Sequence, residues 1–437
     1  MGACVASARL LVAPEEPGLA DRVGALRDAH ERLWVTTPAE LPILGPPAGF
    51  RLHLGNEYAA ARLIDALAAE VERVPEGECK RRVWREAIRE RLQAFGAARL
   101  GWPDGYGRLL CGDDFFEASI AFTREARAFD PGLRLDGLWQ ALRNVGIGNT
   151  LQLLLDRPVT LRPGLFAYSM LYPLTDNLLD DPGLDGGAKR GFNERFGRRL
   201  AGLPVKPVGV GEEAVFRLVT RIEEEFPRPR FADVHASLLA IHRGQVRSLL
   251  QQADPEIPDA RVLAISCEKG GSSVLADLYL VAGQATPSLE RFAFGYGAFL
   301  QLLDDLQDVE ADRAAGHQTL FTRAARRGPL DEATARLARF IDRVLDDAEI
   351  LEGPGAADRK DLVRRSCQNL LVGAIADQPR RFTRAFRRSV ERHWPFSLAA
   401  IRRLRRRAER RFTGAARRLQ ARRGAASLLD LAAAEGL

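Results

Sequence analysis

From about residue 57 onward, apolar residues recur at i, i+3 or i+4, and i+7. "EYAAARLIDALAAEVERV", "VWREAIRERLQAFGAARL", "FEASIAFTREARAF" and "HASLLAIHRGQVRSLLQQ" all follow this pattern. It lays an apolar stripe along a helix of 3.6 residues per turn. No period-2 run bounded by turn residues occurs, so no strand is predicted. Breaks fall at "RLGWPDGYG", "DPGLRLDG", "DRPVTLRPG", "DDPGLDGG", "GLPVKPVGVG", "ADPEIPD" and "GPGAAD", where Gly and Pro end helices. The Pro/Gly clusters "APEEPG" and "LPILGPPAGF" mark residues 1–56 as an irregular leader with one short helix around 20–34. The expected fold is all-α: one large helical body over 57–378, then an Arg-rich amphipathic helical extension over 379–437.

Composition narrows the class. A chain of 437 residues with 46% hydrophobic content can bury a large core and is not globally disordered. Lys and Arg number 64 against 58 Asp and Glu, yet only five are Lys. Together with abundant Ala, Leu and Gly, that Arg excess reads as coding bias, so the basic balance is weak support for nucleic acid. The densest basic stretch, Arg380 to Arg423, interleaves Phe382, Phe386, Val390, Ile401, Leu404, Phe412 and Leu419. A solvated face, a peripheral anionic-membrane contact and nucleic-acid contact are its three readings, the last disfavoured. Five scattered cysteines without CxxC spacing fit a reducing, cytoplasmic setting rather than a disulfide framework. The six His are dispersed without HExxH. No signal peptide, myristoylation site or membrane span is read. A homo-oligomer is compatible with all of this.

Two stretches contain no Lys, Arg or His. One is "FGYGAFLQLLDDLQDVEAD", with Asp304, Asp305, Asp308, Glu310 and Asp312; the other is "PGLFAYSMLYPLTDNLLDDPGLDGGA", with Asp176, Asp180, Asp181 and Asp185. Asp176 and Asp180 share a helix face, as do Asp304 and Asp308, with Asp305 three before Asp308. Like charges so spaced destabilise a helix by roughly 0.2–0.5 kcal/mol per pair. Helical steps place Tyr172, Ser169 and Tyr168 below Asp176, and Leu300, Gly297 and Tyr296 below Asp304. Each helix would then carry carboxylates at one end over an apolar wall. A hard divalent cation relieves such charge; Mg²⁺ takes one or two carboxylates plus substrate phosphates. Two such helices face to face would hold a diphosphate through metals above a dry cavity. That suits metal-assisted departure of diphosphate from an allylic lipid, with the carbocation shielded from water. The competing reading is a solvated acidic face. EF-hand binding does not fit, since neither run has the required Gly and terminal Glu.

These residues resemble the class I isoprenoid synthases: trans-prenyltransferases, squalene and phytoene synthases, and terpene cyclases. "FLQLLDDLQDVEADRAAG" is similar to the second aspartate-rich motif of trans-polyprenyl diphosphate synthases, with Gln301 before the first Asp and Gly316 downstream. "DNLLDD" resembles the first motif in the DxxxDD form of squalene synthases, with Asn177 at the second Asp of DDxxD. "HRGQ" at 242–245 resembles the GQ motif, with Ser248 where an acid is usual. "EKGGSSVLADLYLVAG" resembles the helix with a diphosphate-binding Lys and a kink. The likeness covers about residues 135–320. It implies an isoprenoid synthase bundle with two facing Asp-rich helices and more than one Mg²⁺, with Mn²⁺ as a substitute. Asp176 and Asp180 would bind metal on one wall, Asp304 and Asp308 opposite, with Asp305 as an indirect or alternative ligand. Lys269 would contact the diphosphate, and Gln301, Gln245 and Arg190 would join the substrate site. Tyr168, Tyr172 and Phe299 could face cations with their rings, although aromatics at helical spacing are core packing more often than not.

Two departures from the family pattern bear on the subtype. In the resembled family, elongation uses a Gly-Gly-Lys-x-x-Arg segment shortly before the first motif, whereas "GECKRR" around Lys80 lies almost a hundred residues before Asp176. The C-terminus "LAAAEGL" lacks a closing basic tail. Both features favour ionisation followed by cyclisation or elimination. The DDxxD form of the second motif speaks instead for a prenyltransferase condensing allylic and isopentenyl diphosphates, and head-to-head condensation also stays open. A non-enzymatic protein binding through its basic C-terminal helices is the alternative of another class.

Overall fold

The computed structural model describes residues 18–103, 106, 112–180, 183–254, 256–348 and 355–423. The fold is all-α, with no strand among the described residues. The first half runs α1 (Leu19–Thr36), α2 (Phe50–Val71), α3 (Glu78–Leu100), α4 (Asp113–Phe129), α5 (Leu135–Leu154), α6 (Pro163–Asp180), α7 (Gly186–Leu200), α8 (Gly209–Glu225) and α9 (Ala232–Ser248). The second runs α10 (Leu250–Ala253), α11 (Asp259–Ala282), α12 (Pro287–Gln307), α13 (Val309–Ala314), α14 (Leu320–Arg327), α15 (Asp331–Asp346), α16 (Ala356–Asp377), α17 (Arg384–Arg392) and α18 (Leu398–Arg423). No helix among the described residues is long and apolar enough to cross a membrane.

The ends obey local chemistry. Thr286 caps α12 by accepting from the Leu289 N–H, with Pro287 in the first turn, where its missing N–H is not needed. Asp185 caps α7 through the Ala188 N–H at 2.7 Å. One acid of the first run is therefore a helix cap. Pro173 sits inside α6 and cannot donate to the carbonyl one turn earlier, three residues before Asp176.

The core is organised around α11, which is buried on nearly every side from Val262 to Val281. A helix that is apolar all round belongs in a protein interior. It packs on α12, α9, α1 and α5. The crossing with α12 is made by two glycines. A Cβ on Gly270 would collide with the Gly297 carbonyl oxygen, and one on Gly297 with the Gly270 carbonyl oxygen. The backbones therefore touch, and this close approach fixes Lys269 on one helix relative to Gln301 and the acids on the other.

The helix expected at 20–34 is present as α1, and it belongs to the core. Leu19, Val23, His30 and Trp34 are buried. The Arg22 Nε donates to both Glu290 oxygens at 3.1 and 3.2 Å, and Nη2 donates to Asp233 and the Tyr279 hydroxyl. Glu290 is buried, and removing it takes charge-assisted hydrogen bonds from a half-buried guanidinium that keeps Asp233 and Tyr279. Glu290→Ala is expected to cost about 2 kcal/mol, read as a lower denaturant midpoint at unchanged m-value.

The Arg-rich C-terminal helix α18 lies along α2. Arg403 pairs with Glu57 at 2.6 Å, Arg407 and Arg411 with Asp65, and Arg418 with Glu72. Much of its charge is thus answered within the chain.

Candidate active site

The second acidic run lies at the end of α12, and the fold sorts its carboxylates. Glu310 pairs with Arg381, and Asp312 lies 3.3 Å from His317 Nδ1. Asp305 is buried and accepts from Gln301 Nε2 and Ser266 Oγ, each at 2.9 Å. It faces α11, inward from the helix end. The side chains of Asp304 and Asp308 have no hydrogen-bond or ion-pair partner among the described residues. Asp308 titrates above the usual carboxylate range, first through burial and then through Asp304 and Asp312, while Arg143 of α5 opposes the shift.

Burial pushes the Asp305 acid up to about 6, against the pull of Gln301, Lys269 and Ser266. A carboxyl with a raised folded-state pKa favours its protonated form in the fold. Its contribution to stability is complete below the unfolded-state pKa near 4 and is lost as pH rises through about 6. Without divalent cations, Asp305→Asn should flatten the fall in melting temperature between about pH 4 and 6. An unchanged pH profile would show that Asp305 is not the group responsible.

The first acidic run ends α6. Asp176 accepts from Gln140 Nε2 at 2.5 Å, Asn177 is exposed, and the carboxylates of Asp180 and Asp181 lie outside the described side chains. Asp176 stands at a cavity of about 80 Å³ between α6, α7 and α9. Tyr168, Tyr172, Phe192, Phe196, Leu238 and Gln245 are among its walls. The two tyrosine rings meet edge to face at 5.3 Å. Their hydroxyls are 2.8 Å apart, and Tyr172 Oη is 2.6 Å from Ser273 Oγ. Burial holds both phenols protonated. Beneath them, Asn144 Nδ2 donates to Ser169 Oγ and to Asp277 Oδ1, both at 3.0 Å. Asp277 is fully buried and shifted well toward its neutral form by desolvation.

The helix α5 acts on both acidic ends, by a hydrogen bond at one and through charge at the other. Gln140, which holds Asp176, and Arg143, which acts on Asp308, are one turn apart on α5. On the other side, Gln245 follows Gly244, where a Cβ would lie 3.3 Å from Lys269 Cα. Lys269 in turn stabilises the Asp305 carboxylate. Gln245, Tyr168, Tyr172 and Asp176 thus gather at the cavity, and Lys269, Gln301 and Asp305 form a second cluster. Arg190 joins neither: it is exposed on α7, its guanidinium turned back toward Gly186. Phe299 is buried in the core. The helix α11 continues through Gly270 and Gly271, where the resemblance implies a kink.

Sequence reasoning missed Gln140, Arg143, Asn144, Ser266, Ser273 and Asp277. Asp277 did carry a signal, being the single charge within the apolar run "SSVLADLYLVAG".

The carboxylates suit a hard divalent cation in one respect. Asp304 and Asp308 are a turn apart, and neither side chain has a hydrogen-bond or ion-pair partner among the described residues. Among the described residues, no three His, Cys, Asp or Glu side chains converge as a ready-made metal cage. One or two carboxylates per ion, completed by water and phosphate oxygens, is the Mg²⁺ pattern.

No protein-family model matches the chain, and no curated protein sequence matches it. A search of solved structures finds similarity to a polyprenyl synthase from Caulobacter crescentus CB15, crystallised with calcium and isoprenyl diphosphate. Identity is 16% and the TM-score 0.28, with 71% of this chain and 97% of that chain covered. A likeness this distant carries no functional argument.

Proposed function

We propose that the chain is a class I isoprenoid synthase-type enzyme that ionises an allylic prenyl diphosphate with Mg²⁺, then completes a cyclisation or elimination. The observation that supports this most is the sorting of the acids. Their neighbours are paired or buried, while the side chains of Asp304 and Asp308 have no hydrogen-bond or ion-pair partner among the described residues. The helix α5 carries both Gln140, which holds Asp176 at an apolar cavity, and Arg143, whose charge acts on Asp308. In this reading Asp176 and Asp180 hold ions on α6, and Asp304 and Asp308 hold them on α12. The ions supply the positive charge that stabilises the departing diphosphate.

The chain's own residues do the rest. Lys269 presents its ammonium to the diphosphate, and Gln301 and Ser266 hold Asp305 inward. Asp305, turned inward, then acts on Lys269 through its charge rather than as a metal ligand. Tyr168 and Tyr172, tied to each other and to Ser273, wall the cavity and exclude water. Their ring faces can attract a cation in the cavity. A cytoplasmic setting completes the proposal.

Product analysis by gas chromatography–mass spectrometry tests the subtype. The protein is incubated with Mg²⁺ and allylic diphosphates of increasing length, with and without isopentenyl diphosphate. A hydrocarbon or alcohol from one substrate alone is the expected product. Longer diphosphates formed only with isopentenyl diphosphate would instead establish a prenyltransferase.

A further inference from the structure

The face shared by α2 and α18 combines two features that the core does not need. On α2, Phe50, Leu54 and Tyr58 are 79%, 57% and 65% exposed. They succeed one another every four residues and so form a stripe on one side of the helix. Arg62 continues it, its guanidinium over the Tyr58 ring at 5.8 Å. Beside the stripe, a groove of about 370 Å³ is lined by Glu57, Ala61, Arg403, Arg406, Arg407 and Arg410. Arg403 is answered by Glu57 and Arg407 by Asp65. Arg406 and Arg410 are exposed, with no carboxylate partner among the described residues.

We infer that this face docks on the surface of an anionic phospholipid bilayer, with Phe50, Leu54 and Tyr58 entering the headgroup boundary and Arg406 and Arg410 meeting lipid phosphates. Apolar side chains beside surplus cations, Tyr among them, are the composition of an interfacial helix. Charge selects the occupant. The cations on this face outnumber Glu57, Asp65 and Glu409, so a negatively charged surface is attracted, whereas a second copy would present the same arginines. The pairs with Glu57 and Asp65 fix α18 against α2, so stripe and cations form one rigid platform. The platform also lies near the end of α12. Arg405 pairs with Asp377, and the next residue, Gln378, donates to the carbonyls of Leu306 and Gln307. The inference stands whether or not the proposed reaction is correct.

The test is flotation of the full chain with vesicles of phosphatidylcholine containing phosphatidylglycerol, against pure phosphatidylcholine vesicles. Binding to the anionic vesicles alone, weakening with salt, is expected. Arg406→Glu/Arg410→Glu should lower the partition coefficient about tenfold or more, and Phe50→Ser/Leu54→Ser should lower it independently. Arg406→Lys/Arg410→Lys should retain binding. These side chains are exposed, so circular dichroism should be unchanged in all variants. No partition of the wild type, or equal partition of the charge-reversed variant, would overturn the inference. So would a wild-type dimer that these substitutions break without any vesicle binding, which would assign the face to a second copy.

Discussion

Replacing Asp304 and Asp308 together by Asn is expected to reduce Mg²⁺-dependent diphosphate release about 10³-fold or more. That is the scale of losing the charges that stabilise a leaving group. The same change should not harm the fold. In the absence of metal it removes a like-charge pair one turn apart, so melting should stay level or rise by the equivalent of a few tenths of a kcal/mol. The two readouts move in opposite directions, and that separates a functional pair from a structural one. Mg²⁺ with inorganic diphosphate should raise the melting temperature of the wild type and leave the variant unmoved. Loss of stability in the variant, or retained release, would remove Asp304 and Asp308 from the site.

Gly297→Val is expected to be the most damaging single apolar substitution, costing about 3 kcal/mol or more. Overpacking costs typically 1–3 kcal/mol, and here the obstruction is the Gly270 carbonyl, a backbone group that cannot rotate away. The pair α11 and α12 would have to separate, moving Lys269 away from Asp305. Gly270→Val meets the Gly297 carbonyl in the same way. The double variant should therefore cost much less than the sum of the singles, since one separation of the helices relieves both clashes. Full additivity in denaturant melts would mean that the two glycines do not share a contact.

The helical class was legible because apolar residues every three or four positions leave little else to build. What the pattern does not encode is which distant residue meets which. The acids from Asp304 to Asp312 are alike in sequence. Their fates differ because Arg381, His317, Gln301 and Ser266 reach some and not others. Arg381 stands 71 residues from its partner Glu310, a pairing no local pattern announces. The placement of α1 was hidden for the same reason: Pro and Gly clusters surround it, while its anchor, Glu290, is 268 residues away from Arg22. On α18 the arginines read as surplus charge until Glu57, Asp65 and Glu72 on α2 are seen beside them. Tyr168, Tyr172 and Asp176 could be grouped from sequence because one helix carries all three. Phe192 and Phe196, on the facing helix, were visible as an apolar stripe but not as a cavity wall.

The most direct test of the account is diphosphate release by the purified chain from a single allylic prenyl diphosphate, followed with Mg²⁺ and again with excess chelator. The account predicts steady release with the metal, none with the chelator, and recovery when Mg²⁺ or Mn²⁺ is restored. Release that ignores the chelator, or no release from any allylic diphosphate with either metal, would contradict it.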